Sequence, residues 1–196
     1  MAISAKNCGA MILAGGQSRR MGRCKALLEL DGETLISRLA KQLDGFGELL
    51  LSANDPQVAA GIPGRLVTDI YPGLGPLAGL HAALTAAKVE NLLCVSCDMP
   101  YFTAALAEAL LNAFPPDTDA LACVDGNGRV HPLCGIYAKT ALPVIERRLQ
   151  NRQLKMLDLL AELCTVYFPI PDRFPAKILT NVNTPEAFAG VKGDFL

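Results

Sequence analysis

Glycines and cations are concentrated in one segment near the amino terminus, directly after an apolar run. Residues 12–30 read ILAGGQSRRMGRCKALLEL, and the glycines and cations among them are Gly15, Gly16, Gly22, Arg19, Arg20, Arg23 and Lys25. Glycine lets the main chain approach a ligand closely and present N–H groups to it. Several cations in so short a segment favour a ligand with several negative charges, such as a polyphosphate. The segment therefore predicts either a polyphosphate-binding loop or a tight turn followed by solvated arginines.

Two well-known nucleotide-binding loops do not fit this segment. The P-loop requires a serine or threonine directly after its lysine, whereas Ala26 follows Lys25 here. The dinucleotide-binding pattern G-x-G-x-x-G needs a spacing that Gly15, Gly16 and Gly22 do not have. The segment is thus predicted to be neither a P-loop nor the nucleotide loop of a dehydrogenase.

The pattern of apolar residues predicts strands that alternate with helices. Strands are expected over residues 8–14, 49–53, 65–68 and 92–97, and helices over 34–43, 77–88 and 103–114, the last capped by Thr103. Continuously apolar strands that alternate with helices are typical of a parallel sheet covered on both faces. The predicted fold class is therefore α/β, with a three-layer α/β/α arrangement and a mostly parallel, Rossmann-like sheet.

The alternation of strands and helices changes after residue 114. A strand pair over 120–124 and 130–137, two helices near 140–150 and 154–163, and a strand over 165–170 are expected there. Thr184 and Pro185 then mark the start of a last helix. We expect a small antiparallel addition in the C-terminal third. Residues 1–196 should form one domain, because no linker, repeat or low-complexity tract interrupts the sequence.

Polar side chains follow several predicted strands, at the edge where ligands bind in open α/β sheets. Asp98 comes directly after the strand over 92–97, and it is expected either to bind magnesium or to cap the turn before Pro100. Asp69 is expected either to belong to the ligand site or to form a turn. Asn181 and Asn183 precede the predicted last helix, where they either hold an anion or form a turn.

The glycine-rich segment also matches a longer pattern, L-A-G-G-x-x-x-R-M-G-x-x-K. The match is carried by Leu13-Ala14-Gly15-Gly16, Arg20-Met21-Gly22 and Lys25. This pattern resembles the signature of the nucleotidyltransferases that act on molybdenum cofactor. It most closely resembles that of the molybdenum cofactor guanylyltransferases, the molybdopterin-guanine dinucleotide biosynthesis protein A family. The resemblance implies that Leu13, Ala14, Gly15, Gly16 and Lys25 bind GTP and that Arg20 lies close to the transferring phosphate.

The resemblance extends over almost the whole chain. It implies that Asn54 lies on the guanine or ribose side, that Asp69 and Asp98 also bind the nucleotide, and that Asp98 holds Mg²⁺. The segment NVNTPE, residues 181–186, resembles the family's molybdopterin-side motif and contains Asn181 and Asn183. The sequence departs from the family pattern in two places. Cys24 stands where an acidic residue is common, and YPGLGPLAG is two residues longer than the family's Y-P-G-P-L-A-G.

A member of this family would transfer GMP from GTP to the terminal phosphate of molybdopterin and release pyrophosphate. The resemblance implies Arg20, Lys25 and Asp98 as catalytic groups, Mg²⁺ as cofactor, and GTP and molybdopterin as substrates. It is also compatible with transient contact with cofactor-synthesis proteins or acceptor molybdoenzymes. Two alternatives stay open. One is a cytidylyltransferase acting on the same pterin, whose loop usually reads L-A-A-G, and the other is a nucleotide-binding regulatory module without catalysis.

The overall composition argues against several other classes of protein. The formal net charge of −1 offers no general attraction to a nucleic acid or a membrane surface. No apolar run is long enough to span a bilayer. The seven cysteines are odd in number and lie mostly in apolar runs, which indicates reduced thiols and a cytoplasmic protein.

The remaining metal-binding residue types give weak signals. Cys94 and Cys97 lie three residues apart in a predicted strand, so their side chains should face opposite sides of the sheet and not share a zinc ion. His81 lies on an apolar helix and is expected to pack. His131 is expected either to be structural or to contact the second substrate.

Overall fold

The computed structural model describes residues 3–15 and 25–194 of the 196-residue chain. The strands are β1 (Gly9–Leu13), β2 (Glu29–Leu30), β3 (Glu33–Thr34), β4 (Leu49–Ser52), β5 (Arg65–Val67), β6 (Asn91–Ser96), β7 (Ala120–Val124), β8 (Val130–Ala138) and β9 (Thr165–Pro169). The α-helices are α1 (Leu35–Gln42), α2 (Pro76–Ala86), α3 (Ala104–Ala113), α4 (Leu142–Gln150), α5 (Met156–Glu162) and α6 (Pro185–Asp194). Each predicted strand and helix is present within a few residues of its expected bounds.

Seven of the strands form one mixed sheet in the order β5-β4-β1-β6-β8-β7-β9. β1 pairs in parallel with β4 and β6, and β7 pairs in parallel with β9. β8 alone runs antiparallel, to β6 on one side and to β7 on the other. The expected mostly parallel sheet is therefore confirmed, and its antiparallel addition is a single strand inside the main sheet.

A second, two-stranded antiparallel sheet lies in the N-terminal third. It consists of β2 and β3, which are joined by Asp31 and Gly32, both at positive φ. The sequence analysis did not predict this hairpin, because strands of two residues are too short to show an alternation of apolar and polar side chains.

Helices cover both faces of the main sheet and give the predicted three layers. α1 and α3 pack on one face, in a core that includes Ile36, Leu106 and Cys123. We call this side the α1/α3 face. α2, α4 and α5 pack on the opposite face. All five residues of β1 are buried because the strand lies between the two helical layers. A small third cluster, Leu30, Leu35, Val182 and Val191, attaches α6 to the β2–β3 hairpin.

Threonine hydroxyls fix the start of two helices at the edge that carries the polar residues. The Oγ1 of Thr103 accepts a hydrogen bond from the N–H of Leu106 at the start of α3. The Oγ1 of Thr184 accepts one from the N–H of Ala187 at the start of α6. Both predicted helix starts are confirmed, and they fix the backbone that follows Asp98 and Asn183.

The cysteines carry no disulfide among the residues described. The six cysteines in that part of the chain are all free thiols, and only Cys164 is exposed. Cys94 and Cys97 belong to the cores on opposite faces of the sheet, as predicted. No helix within residues 3–15 and 25–194 is long and apolar enough to cross a membrane.

Candidate active site

The main chain after β1 is held between the carboxyl ends of β4 and β6. The N–H of Ala14 donates to the carbonyl oxygen of Ser52 at 2.9 Å, and the carbonyl oxygen of Leu13 accepts from the N–H of Cys97 at 3.0 Å. Leu13 and Ala14 are buried and Gly15 is exposed, so the chain emerges from the sheet at Gly15. Gly16 and Arg20, two of the predicted site residues, lie outside the described residues.

Three predicted site residues from distant parts of the chain meet beside this edge. The Nζ of Lys25 donates to the Oδ1 of Asn183 at 2.6 Å and lies 3.5 Å from the Oδ2 of Asp98. The main chain reinforces this arrangement, because the N–H of Val182 donates to the carbonyl oxygen of Asp98 at 2.8 Å. Ala26 is completely buried and anchors the short 3-10 turn that carries Lys25. The ammonium group is therefore held from two directions.

Two buried side-chain oxygens at this edge lack a hydrogen-bond partner among the described residues. One is the Oδ1 of Asp98, whose residue is only 8% exposed, and the other is the Oδ1 of Asn181. A buried carboxylate oxygen without a partner is unfavourable unless a ligand or ion completes its coordination. The described residues contain no group of three potential metal-binding side chains. A cation here would therefore be held by one carboxylate and by ligand oxygens, which is the usual arrangement for Mg²⁺.

Asn54 and Asp69 form a second pair, on the other side of β1. The Nδ2 of Asn54 donates to the Oδ2 of Asp69 at 2.8 Å, and the N–H of Asp69 donates to the Oδ1 of Asn54 at 3.1 Å. Asn54 follows β4 and Asp69 follows β5, so both lie at the carboxyl edge of the sheet. The two reciprocal hydrogen bonds fix both side chains without a ligand. The predicted residues thus form two groups that flank the end of β1.

Gly79 of α2 is a site feature that the sequence analysis did not identify. A Cβ atom at this position would lie 2.5 Å from the Cδ1 of Leu13 and 2.6 Å from the Oγ of Ser52. It would also lie 3.7 Å from the Oδ1 of Asp69. The absence of a side chain thus lets α2 approach the end of β1 and the Asn54–Asp69 pair. The only available signal was an isolated glycine inside an otherwise good helical pattern.

The extra residues of the YPGLGPLAG segment lie in the loop before α2. Gly73 and Gly75 both have positive φ there, 78° and 71°, and Gly75 immediately precedes the helix. Residues other than glycine rarely adopt such φ values. The longer loop is therefore accommodated by its two glycines, and α2 begins at Pro76 directly after them.

A cleft of about 800 Å³ opens on the α1/α3 face beside Asp98. Its walls include the residues that directly follow Asp98, from Met99 to Thr103, and the segment from Arg173 to Ile178. Its walls are mixed, because charged side chains such as Arg38, Glu108 and Arg173 stand among the apolar ones. The Nζ of Lys177 lies 4.7 Å from the ring centre of Tyr101. A cleft of this volume is large enough for a small organic ligand.

The two histidines have different surroundings. His81 is buried and packs edge-on against Tyr71, with 5.2 Å between ring centres, as expected for a packing residue. Burial lowers the pKa of its imidazole. The Nε2 of His131 lies 2.9 Å from the Oδ2 of Asp125. The hydrogen bond from His131 is the largest cause of a lowered pKa for the Asp125 carboxyl.

Comparisons with known proteins identify the family of the chain. A family model described as MobA-like NTP transferase domain matches residues 10–165. The probable molybdenum cofactor guanylyltransferase of Carboxydothermus hydrogenoformans is 36% identical over 187 residues, covering 92% of each chain. The molybdenum cofactor guanylyltransferase of Vibrio campbellii is 34% identical over 182 residues, covering 91% of this chain and 92% of that protein.

A solved structure extends the comparison to the fold. Molybdopterin-guanine dinucleotide biosynthesis protein A from Archaeoglobus fulgidus superposes with a TM-score of 0.83 at 25% sequence identity. The superposition covers 95% of this chain and 98% of that one. The family predicted from the sequence is therefore confirmed, and the chain belongs to the MobA-like NTP transferase domain family.

Proposed function

We propose that the protein transfers GMP from GTP to the terminal phosphate of molybdopterin and releases pyrophosphate. The observation that carries this proposal is the convergence of Lys25, Asp98 and Asn183 at the carboxyl edge of the sheet. A cation, a carboxylate and an amide at one point suit a triphosphate and its metal ion. Relatives at 34–36% identity are named molybdenum cofactor guanylyltransferases, which favours guanine as the base and molybdopterin as the acceptor.

The nucleotide is proposed to lie across the end of β1. Asn54 and Asp69 would contact the base or ribose on one side, and Lys25 would contact the phosphates on the other. The backbone from Leu13 to Gly15 lies between these two groups of residues. It is at the edge of the sheet where ligands of open α/β folds bind. The fixed Asn54–Asp69 pair favours this orientation, because its side chains are already oriented before the nucleotide binds.

Asp98 is the residue proposed to hold Mg²⁺. Its buried oxygen without a partner fits a hard cation, and a single protein carboxylate is sufficient when substrate phosphates supply further oxygens. When bound, the ion would neutralise charge on the phosphates. Asn181 offers a second buried oxygen in the same segment as Asn183, and we propose that both asparagines contribute to the molybdopterin side.

Catalysis would then depend on positioning and on neutralisation of charge. The attacking phosphate of the acceptor is already an anion, so no strong general base is required. Lys25 would stabilise the negative charge on the transferring phosphate, and Asn183 would keep its ammonium group in place. Removing such a cation from a partly buried site typically reduces the rate by a factor of roughly a thousand, or about 4 kcal/mol.

The proposal is tested by pyrophosphate release with molybdopterin, Mg²⁺ and either GTP or CTP, together with calorimetry of nucleotide binding. We expect turnover with GTP only, and a loss of about a thousandfold in Lys25→Ala. Lys41→Ala is the matched control, because the Lys41 side chain is 70% exposed and pairs with Glu33. Turnover with CTP alone would instead identify the protein as a cytidylyltransferase. GTP binding without pyrophosphate release would indicate a non-catalytic module. The absence of any nucleotide binding would refute the proposal.

We further propose that the reaction takes place in the cytoplasm. The six cysteines within residues 3–15 and 25–194 are all free thiols, which suits a reducing compartment. Fractionation of cells that express the protein would test this assignment.

A further inference from the structure

The loop between β5 and α2 carries Asp69, one of the residues proposed to contact the nucleotide. It continues from there to Gly75, and two of its glycines have positive φ. Among the described residues, no main-chain N–H between positions 70 and 75 donates to a main-chain carbonyl oxygen. A segment with so few main-chain hydrogen bonds is readily displaced unless side chains hold it. The order of this loop therefore depends on its side-chain contacts.

The first residues of the loop follow α2. Ile70 is 55% exposed, whereas Asp69 and Tyr71 on either side of it are half-buried. The Oδ1 of Asp69 lies 3.7 Å from the position that a Cβ atom would take at Gly79, and the ring centre of Tyr71 lies 5.2 Å from that of His81. Gly79 and His81 both belong to α2, so a shift of Tyr71 against this helix would move Asp69 as well.

Tyr71 attaches the loop to two helices. Its ring meets that of His81 edge-on, at an interplanar angle of 71°, which is a favourable geometry for aromatic rings. Its hydroxyl donates to the Oε1 of Glu146 in α4 at 3.2 Å. Tyr71 and Leu74 also pack against the apolar core that α2 and α4 share. Leu74 offers only apolar contact, so the specific contacts of the loop with both helices are those of Tyr71.

Asp69 keeps one carboxylate oxygen available for a ligand. Asn54 already occupies the Oδ2 and the N–H of Asp69. The Oδ1 has no hydrogen-bond partner among the described residues. A carboxylate oxygen only accepts hydrogen bonds, so the matching ligand group is a donor, such as a ribose hydroxyl or an N–H group of the base. Such a contact requires the oxygen to be held within about 0.5 Å of its productive position.

We propose that Tyr71 is a positioning residue for nucleotide binding and that it acts by holding Asp69 in place. This inference rests on the proposed function, which assigns Asp69 to the nucleotide. The side chain of Tyr71 is directed to the helices and leaves the contact with the nucleotide to Asp69. Because the loop is already ordered before GTP binds, less free energy is lost in ordering it, and the affinity for GTP is correspondingly higher.

A double-mutant cycle between Tyr71 and Asp69 tests this role, because it measures whether the two side chains act through one another. The GTP dissociation constant, kcat and the melting temperature are measured for Tyr71→Ala, Asp69→Ala and the double variant. Tyr71→Phe keeps the ring and removes only the hydroxyl. Tyr167→Ala is the matched control, because Tyr167 is a tyrosine with 46% exposure in β9, at the opposite edge of the sheet from β5.

We expect Tyr71→Ala to raise the GTP dissociation constant by roughly tenfold, while kcat at saturating GTP stays within about twofold. In the Asp69→Ala background, the same substitution should change the dissociation constant by less than about twofold, because the group that Tyr71 positions is then absent. Tyr71→Phe should retain most of the affinity for GTP, and Tyr167→Ala should bind GTP like the wild-type protein.

Equal effects of Tyr71→Ala with and without the Asp69 side chain would overturn the proposal, and so would unchanged GTP affinity in Tyr71→Ala. If Tyr71→Ala fails to fold, Tyr71→Leu takes its place in the cycle and decides by the same criterion. Failure of the wild-type protein to bind GTP would instead refute the proposed function itself.

Discussion

Asp98→Asn separates the proposed catalytic role of this carboxylate from any structural role. The substitution keeps the shape of the side chain and removes its charge. If Asp98 holds the metal ion against the triphosphate, its neutralisation should lower kcat by roughly a thousandfold, or about 4 kcal/mol of transition-state stabilisation. The same substitution should change the stability of the ligand-free protein very little, for a reason that lies in the surroundings of Asp98.

Two opposing contributions nearly cancel in the ligand-free protein. At 3.5 Å, the attraction between Lys25 and Asp98 is roughly 4–5 kcal/mol for an effective dielectric constant near 20. Against it stands the desolvation of the Asp98 carboxylate, which is several kcal/mol in a buried site and which the substitution removes. This cost includes that of its Oδ1, which lacks a partner among the described residues. An asparagine can still accept a hydrogen bond from Lys25, so the net change in unfolding free energy should be about 1 kcal/mol or less.

Asp119→Asn is the matched control, with the opposite expected result. Asp119 precedes β7 at the other edge of the sheet, and its two carboxylate oxygens accept from the hydroxyl of Thr140 at 2.6 Å and the N–H of Cys164 at 3.0 Å. An amide cannot accept through both positions, so this variant should lose about 1–3 kcal/mol of stability while its kcat stays within about twofold. For a chain of this size, 1 kcal/mol corresponds to about 2–4 °C in melting temperature.

The assay pairs pyrophosphate release with thermal unfolding of each variant in the absence of ligand. The reasoning would be refuted if Asp98→Asn kept more than about a tenth of the wild-type kcat. It would also be refuted if Asp98→Asn lowered the melting temperature as much as Asp119→Asn, because Asp98 would then be a structural residue.

Two further predictions concern packing and titration. Gly79→Ala should lower the unfolding free energy by about 1–3 kcal/mol, because the added Cβ would displace Leu13. Gly190→Ala is the control, and it should be neutral or stabilising because Gly190 lies in a helix with open space around it. Urea unfolding of the two variants compares them, and equal effects would contradict the packing argument. Burial raises the pKa of Cys8 and of Cys94 from 9.0 to about 12, so the folded state keeps two protons that the unfolded state loses. The contribution of these two thiols to the unfolding free energy should therefore be fully present below pH 9. It should decline between about pH 9 and 12, by up to about 1.4 kcal/mol per pH unit for each thiol. Unfolding measured across this range that shows no decline would rule out the buried-thiol contribution.

Local sequence patterns predicted the main sheet because its strands are continuously apolar and its helices carry caps. β1 and β6 could be identified in this way, since burial on both faces leaves a distinct apolar run. The contact between Lys25 and Asn183 could not, because 158 residues separate them and neither position has a periodic signal. Only the resemblance to a family placed both residues at one site. Gly79 could not be identified from the sequence, because its importance depends on how closely α2 approaches Leu13. No local sequence pattern predicts that distance.

The contacts of Lys25 also indicate how the free site could convert to a loaded one. The hydrogen bond to Asn183 at 2.6 Å is shorter than the 3.5 Å separation from Asp98, so the amide is the tighter of the two partners. In the proposed reaction, Asp98 would hold Mg²⁺, and the ammonium group of Lys25 would turn toward the phosphates while it keeps Asn183. The C-terminal segment that carries Asn183 is fixed to Asp98 through the N–H of Val182. Nucleotide binding and the acceptor side of the site would therefore be coupled through one lysine.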